Sequence, residues 1–423
     1  MTQHSNFGVK VIEPVRGQSE IHFSSPDGDL PAGHLARALD RVVGTLDLGP
    51  FLNGAKSIKG LAGRPVLSPR MMLVLWLYAI IDGVAAATEI ERLTTSHVAY
   101  RWIVGDLRPC HDVISRFRVS QSEAFSKALN EILAQLLRAG VLDLDVVAQD
   151  GTRLRASAGS ASFRTAPALE ECREHARLHL HAVLAQADDP ELSQTMKIAR
   201  LAKARDYQER VEAAIVALET LPKEVKGPKA RKGERRASTT DPDARNMKMG
   251  DGGFRPAYNI QLAVAGKETG GPRTIVGIQV TNVGSDMGSL TPMANDVEAR
   301  TGQLPGAVIA DTNHFKRADM RAMEERGIHP IVPPPRPRPT TATGEQRISV
   351  DDWRKAQMSP EDQQIYRRRA SLSELANAVL KGTYRLDRLL VRTLPRVTST
   401  ILLYSLCFTL HQNLKKLTGM ISG

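Results

Sequence analysis

The chain is poor in cysteine. Three occur in 423 residues, Cys110, Cys172 and Cys407, odd in number and far apart, with no CxxC pair. That excludes a disulfide framework and a zinc ribbon and fits a reducing compartment. Aromatic residues are only 4%, too few to favour a surface on which the bases of a single strand stack. Long apolar runs are missing as well. The longest uncharged one, Met71 to Ile81 (MMLVLWLYAII), is too short to span a bilayer and is flanked by Arg70 and Asp82, so it reads as a buried core helix. The opening residues, MTQHSNFGVKVIEP, lack the apolar centre of a signal peptide. A cytoplasmic setting with no membrane partner is the expectation. No Walker A, GxSxG or HExxH pattern occurs, which leaves NTPase, serine hydrolase and zincin chemistry unsupported.

What is present is positive charge and ample apolar material. Lys plus Arg number 57 against 46 acids, a net charge of +11, and 42% of residues are hydrophobic. The chain can therefore build real cores in two or three packed units. Its basic surplus suits a polyanionic partner, of which nucleic acid is the commonest.

Residues 1–30 read as an extended polar lead-in and residues 31–140 as helical. Ser68-Pro69 supplies an N-cap and a first-turn proline for one helix. AATEIERLTTSHVAYRWIVG has helical spacing at Ile90, Leu93 and Val98, and HDVISRFRVSQSEAFSKALNEILAQLLRAG reads as one long amphipathic helix ending at Gly140. A strand over Leu144 to Gln149 leads to Asp150, with a turn at Gly151-Thr152. Charged segments with apolar positions every three and four residues predict a helical hairpin or arm between 166 and 221. The stretch KEVKGPKARKGERR after it holds seven basic and two acidic residues, which suits a solvated linker or a phosphate-contacting loop. AYNIQLAVAG and RTIVGIQVTN alternate as strands joined by a hairpin loop. A helix from about Ser289 to Arg300 follows, and then strand, helix, strand, with a parallel crossover, between GAVIAD and HPIVPPP. PPPRPRPTTATG reads as a rigid, then flexible, loop. From about Pro360 the chain reads as helical to its end.

Three acids stand out by their surroundings. Asp150 closes the apolar run LDVVAQD, Asp311 closes GAVIAD, and Glu374 lies in the helical stretch YRRRASLSELANAVLK. Two carboxylates from strand ends and one from a helix are what two-metal phosphodiester chemistry requires. Taken singly, a strand-end Asp can equally be a turn residue or a helix cap, and Glu374 can be a surface glutamate. On the helix, Leu372, Leu375, Ala376, Val379 and Leu380 form an apolar stripe, while Arg367, Glu374 and Lys381 share another face. Spacing alone leaves those alternatives open.

The segments DGTRLRAS, DPDARNMKMGDGGFRPAYNIQLAVA, TNVGSDMGSL, VIADTNHF and YRRRASLSELANAVLKG, together with CHDVISRFR and YSLCFTLHQNLKKL, resemble in order and content the DDE transposases of bacterial insertion sequences. The resemblance begins near residue 35. It implies an α/β chain: an RNase H-like mixed sheet with flanking helices at 141–165 and 241–423, an all-α DNA-binding domain at 31–140, and a helical insertion with a basic linker at 166–240. By position, Asp150, Asp311 and Glu374 are the catalytic acids. They would bind two Mg2+ or Mn2+ ions roughly 3.5–4 Å apart, and hard oxygen ligands suit those ions rather than zinc. The family's C-terminal signature matches Tyr366, Arg369, Glu374 and Lys381, which implies that Tyr366, Arg369 and Lys381 meet the DNA backbone. The implied reaction cleaves the element's ends and joins them to target DNA, with double-stranded DNA as partner and a homodimer or larger assembly on it. A metal-dependent nuclease without strand transfer and a non-catalytic DNA-binding derivative are the alternatives.

The match departs from the family in three places. One residue more than usual separates Arg369 from Glu374, Thr393 stands where relatives often have Gly, and His314 stands where Tyr is frequent. Elsewhere, Ser115, Arg116 and Arg118 in HDVISRFR resemble the start of a recognition helix, with Arg116 and Arg118 as DNA contacts, or else a packed helix with exposed arginines. Cys172, His175 and His179 share a helical face, as a metal site or as charge patterning. Asp251 and Asp286 read as turn or cap residues rather than ligands.

Overall fold

The computed structural model describes residues 25–53, 65–186, 189, 191–221, 235–267, 270–336 and 357–422. The basic stretch from 223 to 234 and most of PPPRPRPTTATG lie outside the described residues, as does most of the lead-in.

The N-terminal helices are α1 (Pro26–Asp29), α2 (Leu35–Val43), α3 (Pro69–Ile81), α4 (Ala87–Ser96), α5 (Val98–Val104), α6 (His111–Ser120) and α7 (Ser122–Arg138). Helix α3 starts as its sequence requires: the Ser68 side chain accepts from the Met71 amide at 3.4 Å, and Pro69 occupies the first turn. Met71 to Ile80 are all buried, as expected of a helix apolar on every face. Two expected helices are each interrupted. Between α4 and α5, His97 takes an extended backbone (ψ 131°) and its ring meets Tyr100 edge-on at 5.4 Å, leaving Val98 41% exposed instead of packed. Between α6 and α7 the chain leaves the helix at Gln121 (φ −115°, ψ 29°).

Strand β1 (Val146–Arg155) follows, and then β2 (Phe163–Arg164), the two long helices α8 (Ala166–Ala185) and α9 (Gln194–Thr220), and β3 (Ala237–Ser238). The α8–α9 pair carries its own small core of Leu169, Ala214, Ala217, Leu218 and Ala237. Next come β4 (Arg245–Lys248), β5 (Phe254–Ala265), β6 (Thr274–Thr281), α10 (Leu290–Thr301), β7 (Ala307–Ile309), α11 (Arg317–Glu324) and β8 (His329–Ile331). The C-terminal part is not one continuous helix. It holds α12 (Pro360–Tyr366), then α13, which joins a π-turn (Ala370–Glu374), an α-turn (Leu375–Ala378) and a second π-turn (Val379–Thr383), and finally α14 (Leu394–Ser422). Between α13 and α14, Arg385 and Thr393 have positive φ, a conformation that halts a helix of L-residues.

The sheet runs β6-β5-β1-β7-β8, with β4 extending the β6 edge of β5. Strands β1, β7 and β8 are parallel neighbours, and β5 is antiparallel to both β1 and β6. Among the described residues β5 alone therefore opposes the other five strands of this sheet, which is the RNase H-like arrangement. Residues alternate between faces along β1. Val146 and Ala148 pack with Ala307, Ile309 and Leu372 on the face that meets α13. On the opposite face, Val308 and Ala310 join Leu290, Ala294 and Met323 of α10 and α11. Helix α14 is buried between the sheet and the N-terminal helices. Its Thr409 hydroxyl accepts from the Ile275 amide at 3.2 Å on the sheet side, and its Ser399 hydroxyl donates to the Arg118 carbonyl at 2.8 Å on the helical side. One apolar cluster runs without a break from Leu30 through the sheet to Leu417.

The turn expected at Gly151-Thr152 does not form. Strand β1 continues to Arg155 because its antiparallel partner β5 accompanies it that far, while its parallel partner β7 stops at Ile309.

Candidate active site

The site is built where β7 leaves β1. The parallel register pairs Val147 with Val308 and Ala148 with Ile309. Carried two residues further, it sets Asp150 beside Asp311. Both acids then face the α13 side of the sheet, since Asp150 follows Val146 and Ala148 in the alternation. Asp150 accepts from its neighbour, the Gly151 amide, at 3.0 Å, and from the Asn377 side-chain amide of α13 at 2.9 Å. Burial raises its pKa; the positive charge of Arg369 opposes that and the charge of Asp311 adds to it. Asp311 is also burdened by burial, but hydrogen bonds from His314 and Asn313 and the proximity of His314 outweigh it and bring its pKa below the usual value. Its carboxylate accepts from the Asn313 amide at 3.1 Å, capping the short turn Thr312–His314. Two adjacent carboxylates pushed in opposite directions are a recurrent mark of functional sites.

The helical half comes from α12 and α13. Burial raises the Tyr366 pKa, with Arg369 countering and Asp311 adding, and the Arg369 guanidinium lies 5.9 Å from its ring centre. Arg369 is paired with Glu374 at 3.0 Å. Those two are five residues apart, a spacing that points different ways on an α-helix but lines up on a π-turn, whose bonds close i to i+5. The turn Ala370–Glu374 therefore absorbs the extra residue between Arg369 and Glu374. Lys381 is partly buried, which lowers its pKa, and the charge of Asp150 counteracts that. The expected apolar stripe holds at Leu372, Ala376 and Leu380, whereas Leu375, directly after the first π-turn, is 43% exposed.

The third acid does not join the first two in this state. The Glu374 side chain is 57% exposed and committed to Arg369. Among the described residues, no group of three His, Cys, Asp or Glu side chains is placed to hold a metal ion. The donors that are in place suit a hard cation: two neighbouring carboxylates and the Asn377 carbonyl oxygen, which is buried without a partner. The Cys172, His175 and His179 face is not such a group among the described residues; His175 packs edge-on against Tyr207 at 6.4 Å.

Of the two arginines expected to meet DNA from α6, Arg116 is exposed and Arg118 is 5% exposed. Arg118 lies over the Trp76 ring at 4.9 Å and donates to the Ala85 carbonyl at 3.0 Å. Its charge serves the interior of the helical region, so the DNA-contact expectation for Arg118 does not carry over. Asp251 is a turn residue as expected, accepting from Gly253 and pairing with Arg255 at 2.6 Å. Asp286 opens a turn as expected, its carbonyl accepting from the Ser289 amide at 3.3 Å, but its side chain caps no helix. It is 7% exposed and accepts from Asn259 and Gln261, both at 2.7 Å, on the face of the sheet away from α13. Sequence reasoning also missed Asn377 and Gln261. Asn259 and Gln261 alternate with Ile260 and Leu262 like the outer face of an ordinary strand, and only the fold shows both to be buried.

Residues 24–120 match the family described as Transposase domain (DUF772), and residues 223–410 match Transposase DDE domain. The second match contains Asp311 and Glu374 and starts downstream of Asp150. No curated protein and no solved structure matches the chain.

Proposed function

Since the chain belongs to the DDE transposases of the insertion-sequence type, we propose that it cleaves the ends of a DNA element and joins them to target DNA, with Asp150, Asp311 and Glu374 as its catalytic acids. The observation that supports this most is the strand register that sets Asp150 beside Asp311, under a helix presenting Arg369, Glu374 and Lys381. Asp150 and Asp311, with Glu374, would hold Mg2+ or Mn2+. When bound, the ions would activate a water or a 3′-hydroxyl and stabilise the leaving oxygen of an in-line displacement.

The chain's own residues do the rest. The backbone on either side of Asp150 is held in mid-sheet, so its carboxylate keeps one direction. Asn377 donates to that carboxylate and fixes its second oxygen. Lys381, Tyr366 and Arg369 present charge and a hydroxyl to the phosphates that flank the scissile bond. A phosphate arriving at Arg369 competes with Glu374 for the guanidinium and releases that acid toward Asp150. The helices of 31–140, with Arg116 outward on α6, are assigned to DNA binding, the 166–240 segment is assigned as an insertion in the catalytic unit, and synapsis of two ends calls for at least a homodimer.

Incubation of the purified protein with a fragment bearing the element's end, in Mg2+ or Mn2+, tests this reading with Asp150→Ala as control. Nicked and joined products that Asp150→Ala does not form are expected. Nicking without joining points to a nuclease. Binding without either, in both metals, points to the non-catalytic derivative, which the outward Glu374 would then explain.

A further inference from the structure

Behind the sheet, on the face away from α13, a chain of buried polar groups ends on Asp311. Asp286 can only accept hydrogen bonds. It accepts on one oxygen from Asn259 and from the Gln261 amide nitrogen, both at 2.7 Å, and Arg153 approaches its other oxygen at 3.4 Å. This orients the Gln261 amide: its nitrogen is committed to Asp286, so its oxygen faces the His314 ring at 2.9 Å. The His314 Nε2 must then carry a proton, and Nδ1 lies 2.6 Å from Asp311. His314 and Gln261 are 0% and 1% exposed. Gln149 braces the same group, donating to Ser289 at 2.8 Å and to Gln261 at 3.3 Å.

The residues of β1 divide accordingly. Asp150 faces α13, while Gln149, Gly151 and Arg153 face this network, opposite Ala263, Gln261 and Asn259. A β-carbon on residue 151 would lie 2.8 Å from the Asp286 carboxylate, against the Gln261 amide as well. The residue after Asp150 is thus glycine because the network passes beneath it. Such a continuous, buried and charge-terminated chain costs desolvation that an apolar core would avoid. Fixing the direction of Asp311 is a return for that cost, as outer partners do for ligating carboxylates.

We infer that Asp286, Gln261 and His314 are positioning residues that aim Asp311 for the strand-cleavage reaction. The inference rests on the reading of Asp311 as a catalytic acid. The test compares full-length wild type with His314→Phe and with Gln261→Met, which keeps the volume and acts on Asp311 only through His314. Three readouts are taken: single-turnover cleavage of an element-end fragment, Mn2+ affinity by calorimetry, and affinity for the same fragment without metal. Both variants should lose about 10- to 100-fold in cleavage rate and in Mn2+ affinity, with DNA affinity within about twofold of wild type. Variants that cleave and bind Mn2+ as wild type does overturn the inference alone. So does a parallel loss of DNA affinity, which marks a general loss of structure. A wild type that neither binds Mn2+ nor cleaves removes the reading of the site, and this inference with it.

Discussion

The sheet and the helix contribute to the site in different ways. Asp150 and Asp311 are set by strand register, mostly buried, and each carboxylate is held by at least two hydrogen bonds. Glu374 sits on a helix made of two π-turns around one α-turn, is 57% exposed, and is held by one ion pair. An exposed pair of that kind is worth at most about 1 kcal/mol. The sheet half is fixed before any ligand arrives. The helical half can be moved by a competing anion. A π-turn suits such a role, because removing its extra residue rotates everything beyond it by about 100°, and sliding it along the helix re-aims the residues it passes.

The largest expected effect strikes the fixed half. Asp150→Asn and Asp311→Asn should each lower single-turnover cleavage by on the order of 10³-fold, several kcal/mol of lost transition-state stabilisation. Retention of more than a tenth of the rate by either would break the comparison. The same two variants separate in stability. Burial raises the Asp150 pKa, so the folded state binds more protons than the unfolded one between the ordinary Asp value and the raised one, and stability falls as pH rises through that window. The Asp311 pKa is depressed, so its contribution is present above the ordinary Asp value and is lost as pH falls through the folded value. Melting temperatures at pH 7 should accordingly rise for Asp150→Asn and fall for Asp311→Asn, with both differences shrinking in acid.

A smaller effect sharpens the helical half. Arg369→Gln removes a cation from beside Asp150 and frees Glu374, so DNA-free Mn2+ affinity should tighten by roughly three- to tenfold, up to about 1.4 kcal/mol. Unchanged or weaker binding would show that Arg369 does not hold the site open. The smallest effect lies where α13 hands over to α14. Thr393 has φ 73°, and its amide donates to the buried Asp241 at 3.0 Å. Thr393→Gly should stabilise the fold by roughly 0.5–1 kcal/mol, the left-handed cost of a β-branched residue less the added freedom of glycine. Chemical denaturation measures it, and a loss of stability would contradict the strain.

What could be read from the chain follows the same division. The strands were legible because alternation is a local signal, and so was the closing of two apolar runs by Asp150 and Asp311; the RNase H-like order came only with the family resemblance. That Asp150 lies mid-strand was not legible, since only the early end of β7 makes it a strand end on one side. The odd spacing of Arg369 and Glu374 was visible, but its resolution by a π-turn was not, because period and spacing assume an α-helix. Thr393 stands where relatives often have Gly, and the positive φ there is a finding of the fold. Arg118 looked like a surface arginine on an amphipathic helix, and Trp76, Ala85 and Ser399, distant in sequence, draw it inside. Gln261, Asp286 and His314 meet only through the fold, so their partnership left no local trace.

Mn2+ titration followed by electron paramagnetic resonance, with and without an element-end fragment, tests the two-part site most directly. Without DNA, Glu374→Gln should bind Mn2+ within about twofold of wild type, while Asp150→Asn and Asp311→Asn lose at least about tenfold; with DNA, Glu374→Gln should lose at least about tenfold as well. A Glu374→Gln protein that already loses Mn2+ without DNA, as fully as Asp150→Asn, would contradict it.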